Sequence, residues 1–129
     1  MLPVPSEPQH LRIAFDVFDY PRAVVRLGGE EPLRDRAWEF LELHEHYVAV
    51  LKDAIDAGDA EAAASAARAL QCGLKGLAGA RPRSFALMME LQARRLDLRA
   101  ARHTLFALDR SLHDLAWALR QVVSPGPWN

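Results

Sequence analysis

A chain of 129 residues, half hydrophobic and with a formal net charge of -1, has material for one domain and one core, burying roughly two-thirds of its unfolded surface. That charge leaves no footprint for nucleic acid, and no apolar run approaches the roughly 20 residues that cross a bilayer, so neither is an expected partner. The single cysteine excludes an internal disulfide and no charged-then-apolar signal segment is present, so a cytoplasmic protein is expected, and the scarcity of β-branched residues beside abundant alanine and leucine predicts an all-α fold.

Met1 to His10 carries three prolines and little periodicity, which reads as an irregular lead-in extending to about residue 12. Leu11 to Gly29 contains Ile13, Phe15, Val17 and Phe18, then a short helix in which Pro21 suits the first turn and Gly28-Gly29 the end. Pro32 is expected to open a long helix reaching Ala57, with Leu33, Ala37, Phe40, Leu41, His44, Val48, Leu51 and Ile55 on one stripe. Gly58 supplies a left-handed stop and Asp59 a cap for the next helix.

That next helix is expected to run to Pro82. At about 100° per residue it places Ala63, Ala67, Leu70, Leu74 and Leu77 toward a core. Ser65, Arg68, Cys72, Lys75, Gly76 and Gly79 then face solvent. Glycines at 73, 76 and 79 each cost roughly 0.8 to 1 kcal/mol against alanine inside a helix, which points to close approach by a partner. Pro82 forbids continuation, and Ser84 is the expected cap of a third bundle helix with Phe85, Met88, Met89 and Leu96 on its apolar side. After a short turn near Asp97, the last helix repeats Leu98, Ala101, Leu105, Leu108, Leu112, Leu115, Leu119 and Val122 before Ser124-Pro-Gly-Pro closes it. Four long helices on short connections predict an up-down-up-down bundle over about residues 32–123, with a short N-terminal capping helix, in a single domain 1–129.

Leu-Gln-Cys-Gly-Leu-Lys-Gly at 70–76 resembles the signature of histidine phosphotransfer (HPt) domains of two-component phosphorelays, His-x-x-Lys-Gly within a bundle helix. Lys75 and Gly76 match the Lys-Gly pair, and Cys72 stands where the family has its phosphoaccepting histidine. Phe15-Asp16, Arg26-Leu27-Gly28-Gly29, Ala57-Gly58-Asp59, the Met-Met-Glu-Leu-Gln run at 88–92 and the final leucine-rich helix extend the similarity over roughly Phe15 to Leu119. Gln71-Cys72 departs from the family's Ala-His, and Pro82 from a glycine ten residues after the histidine.

The resemblance implies docking to a response-regulator receiver or a histidine kinase, with the lysine offering charge to phosphoryl oxygens and the glycine leaving room for the receiver. An exposed imidazole with a pKa of about 6.5 is a competent phosphoacceptor, and Cys72 cannot supply it. The expected protein is therefore a non-enzymatic, monomeric binding domain without cofactor or metal. Its partner-binding residues are Ser65, Arg68, Gln71, Cys72, Lys75, Gly76 and Gly79. Alternatives are active transfer through Cys72 or His46, or a structural module packing along the Leu98–Val122 seam. His44 falls on an apolar stripe as a core histidine, His103 and His113 are ten residues apart rather than the four of a stacked metal pair, and Trp38 and Trp117 are expected to anchor helix contacts.

Overall fold

Aspartates and glycines punctuate the chain as their chemistry requires. In the computed structural model, which describes residues 15–124, Asp19 accepts from the Arg22 amide to start α1 (Tyr20–Leu27), and Gly28, at φ 89°, ends it. Helix α2 (Glu30–Asp56) begins just ahead of Pro32, leaving the proline in a first turn where no amide donor is missed. Gly58 turns left-handed at φ 71°, Asp59 accepts from the Ala62 amide and α3 (Ala60–Leu74) follows. Helix α4 (Ala80–Arg94) leads to α5 (Leu98–Val123), whose first turn is capped by Asp97 accepting from Ala100. No strand occurs among the described residues. The lead-in, Ile13, Pro125 to Pro127 and Trp128 lie outside them.

Helix α2 packs on α3 and α5, α4 packs on the same two helices, and α1 covers part of α2. The apolar stripes read from the sequence meet in one cluster, with Leu33 and Leu51, Leu70 and Leu74, Met89, and Leu108, Leu112, Leu115 and Leu119 fully buried. Each such leucine contributes about 1.5–3 kcal/mol by leaving water.

Helix α3 ends at Leu74 rather than running on to Pro82. Arg36 of α2 donates through Nη2 to the carbonyls of Gly73 at 3.0 Å and Lys75 at 3.2 Å, drawing off acceptors the helix would have used. Gly76 then takes φ 78°, and Leu77 is buried from a connection rather than from a helix face.

The cap of α4 is Gly79, not Ser84; Pro82 sits inside the first turn, and the Arg81 amide donates to the Asp16 carbonyl at 2.7 Å. The buried side of α4 is Pro82, Ala86, Met89, Glu90 and Ala93, so Met88 is exposed on its flank, and Leu96, expected on the same apolar side, is exposed because the helix ends at Arg94 and Leu96 lies in the following turn at φ 61°. Trp38, expected as an anchor, is also exposed, on the side of α2 away from the core.

Candidate functional site

Cys72 lies in the last turn of α3 with its side chain exposed. It forms the ridge between two open clefts of about 410 Å³ each. Gln71, Lys75, Ala80, Arg83, Ser84 and Leu87 complete one, toward α4. Arg36, Glu39, Leu43, Tyr47 and Ala69 line the other, toward α2.

Gln71 is held in place from below. Its Nε2 donates to Glu90 Oε1 at 2.7 Å and to the Ala67 carbonyl at 3.3 Å. The same buried carboxylate accepts from Arg94 Nε and Nη2 at 2.9 and 2.6 Å, and Arg68 Nη1 stands 3.7 Å away. The hydrogen bond from Gln71, then that from Arg94, holds the Glu90 carboxyl below its ordinary range against the opposing effect of burial. Arg68 is therefore partly committed to Glu90, although its side chain remains exposed. Lys75, beyond the helix end, is exposed, and its ammonium makes no ion pair among the described residues. Arg83 donates through Nε to the Gly79 carbonyl at 3.2 Å and adds a cation to the first cleft.

Gly76 and Gly79, predicted for this face, and Gly73, read with them as leaving room for a partner, serve the interior. A Cβ on Gly79 would lie 2.3 Å from the Asp16 carbonyl oxygen, and one on Gly76 would meet Leu27 Cδ2 at 3.1 Å. A Cβ on Gly73 would come 3.0 Å from the Tyr47 hydroxyl. These glycines make room for the chain's own segments, and since the helix stops at Leu74, Gly76 and Gly79 do not continue the Cys72 face. Ser65, almost two turns before Cys72, lines a separate depression with Glu61, Arg94 and Leu96.

Comparison with family models, curated proteins and solved structures finds no match.

Arg68, Gln71, Cys72 and Lys75 are thus brought together, Arg36, Leu43, Arg83 and Leu87 join them without having been singled out in the sequence, and so does Glu90, which the sequence offered only within the 88–92 run and with no site role. Only Glu90 carries a local cue, an acid with Arg94 four residues on. The arrangement offers a thiol among cations and two exposed leucines. Among the described residues no group of three or more histidine, cysteine, aspartate or glutamate side chains is placed to hold a metal ion, and no helix is long and apolar enough to cross a membrane. His46 is exposed on α2, but its neighbour Tyr47, not His46 itself, borders the cleft beside Cys72.

Proposed function

We propose that the protein is an HPt-like binding domain, an up-down-up-down bundle of α2 to α5 capped by α1, that docks a response-regulator receiver or a histidine kinase and passes no phosphoryl group. The observation that carries this reading is the exposure of Cys72 on the last turn of α3 with Lys75 exposed just past it. Around them, Arg68 and Arg83 supply positive charge and Leu43 and Leu87 an apolar footing. An acidic receiver pocket is the complementary surface, and charge of this kind sets encounter rate and partner choice. The bundle topology is supported by the Arg102 Nη1 to Asp56 Oδ1 ion pair at 2.7 Å, which ties the end of α2 to the start of α5.

The chemistry departs at one atom set. A thiol at position 72 removes the ring nitrogen that would take a phosphoryl group while leaving the landing surface in place. The test is to mix the protein with Mg²⁺ and a panel of phosphorylated receivers, measure complex formation by calorimetry and map phosphate by mass spectrometry. The expected result is salt-sensitive binding to at least one receiver or kinase with no phosphate on the chain, and unchanged binding by Cys72→Ser. Phosphate mapped to Cys72 or any histidine, His46 included, would overturn the non-transferring reading, and a protein that binds no receiver or kinase would sink docking altogether.

A further inference from the structure

Charge on this molecule is segregated by helix. Helix α2 carries eight acidic and three basic residues, whereas α5 carries four arginines and two histidines against two aspartates. On the side of α2 turned from the core, Glu31, Asp35, Trp38, Glu42 and Glu45 follow one another at steps of four, three, four and three, all exposed. On the corresponding side of α5, Arg99, His103, Phe106, Arg110 and His113 do the same at identical steps. The steps are simply those of one helix face. The residue pattern is not: acid, acid, aromatic, acid, acid on one helix, and base, base, aromatic, base, base on the other.

Both central aromatics are open to solvent, Trp38 at 57 % and Phe106 at 73 %. The side chains of Glu31, Asp35, Glu42 and Glu45, and of Arg99, His103 and Arg110, make no ion pair among the described residues; His113 has Asp109 at 3.3 Å. The helices have 27 and 26 residues, so each stripe runs along an element about 40 Å long.

From this complementarity we infer that the protein self-associates, the acidic stripe of α2 in one copy seating on the basic stripe of α5 in another. A second copy offers both at once, acids opposite arginines and histidines at the same spacing, each stripe with an aromatic at its centre. Because α2 and α5 pack on each other, the stripes lie on neighbouring helices, and a twofold arrangement lets each copy satisfy the other's pair at once, closing the assembly as a dimer. Cys72 sits on α3, which packs on α2 and α4, so the dimer leaves that face open. This departs from the monomer expected from the sequence and stands independently of any receiver.

The test uses sedimentation equilibrium on the whole chain and on two triple variants, D35R/E42R/E45R, which leaves three bases to one acid on the α2 stripe and so makes both stripes basic, and R99E/H103E/R110E, which makes both acidic. At about 50 mM salt the unaltered protein dimerises, and at about 0.5 M the dimer weakens at least about tenfold, since screening reaches within a few ångströms there. Each variant alone, helical by circular dichroism, loses self-association by at least about tenfold, and an equimolar mixture of the two restores a heterodimer, because both cross-contacts are again of opposite sign. A protein monomeric at about 0.2 mM in low salt overturns the inference. So does a dimer unmoved by salt or by either variant, or two folded variants that fail to pair when mixed.

Discussion

His44 is the side chain on which pH acts most directly. It is 4 % exposed, stacked on Phe40 with ring centroids 5.5 Å apart and edge-on to His113 at 6.3 Å. Burial, first of all, pulls its pKa below the ordinary 6.5, with Arg120 and His113 acting the same way and Glu45 and Asp109 opposing. The fold therefore favours the neutral ring. Stability from this site is complete above about 6.5 and is lost as pH falls through the lower folded value. The melting temperature is expected to drop between about pH 7 and 5, and His44→Leu, which keeps an apolar body there, to flatten that drop in thermal circular dichroism. Glu90 responds in a lower window. Its depressed carboxyl contributes stability above its ordinary 4.5 that disappears as pH falls through the folded value. Glu90→Gln should cost about 1.5–3 kcal/mol in urea unfolding near pH 7, the worth of hydrogen bonds to a charged group, and should remove the acid-side loss below about pH 4.5.

At the scale of the element, the connection between α3 and α4 is where glycine chemistry decides stability. Gly79 lies against backbone, the Asp16 carbonyl, while its amide donates to the Val17 carbonyl at 2.8 Å. Gly73 lies against the movable end of Tyr47. Gly79→Ala is thus expected to cost at least about 2 kcal/mol, by pushing residues 15–19 off the start of α4. Gly73→Ala gains up to about 1 kcal/mol of helix propensity against a small shift of the Tyr47 hydroxyl and should end within about 1 kcal/mol of the unaltered protein. Chemical denaturation of the two variants gives the comparison; equal losses would refute the assignment of Gly79 to the Asp16 contact. The same connection explains what was legible beforehand and what was not. Periodicity with Gly28, Gly58 and Asp59 marks several helix ends because those caps are local in sequence, and Asp19 and Asp97 cap α1 and α5 just as locally without having been read as caps. The end of α3 and the start of α4 were hidden, since they depend on Arg36 from 37 residues upstream and on Asp16 from 65 residues upstream of its partner Arg81. Cys72 was placed correctly on the solvent side by periodicity, whereas Glu90 was missed because it occupies a buried position that an apolar stripe would fill.

Over the whole molecule the proposed functions divide the surface between them. The face around Cys72 draws on α2, α3 and α4, and the paired stripes draw on the outer sides of α2 and α5. Lys75 belongs only to the first. Its ammonium is exposed and makes no ion pair among the described residues, so reversing its charge leaves the core and the stripes untouched and surface changes of this kind usually move stability by less than about 0.5 kcal/mol. The effect should appear in docking instead. Lys75→Glu places an acid where an acidic receiver pocket would approach, and is expected to weaken receiver binding about tenfold at about 0.1 M salt through the association rate. The difference should narrow as salt rises toward about 0.5 M, where screening shortens the reach of any single charge. Stopped-flow association measured across that salt range, with sedimentation of the same variant alongside, separates the two surfaces: slower docking with unchanged self-association supports the division, and a Lys75→Glu protein that associates with receivers as fast as the unaltered chain at low salt removes Lys75 from the docking face.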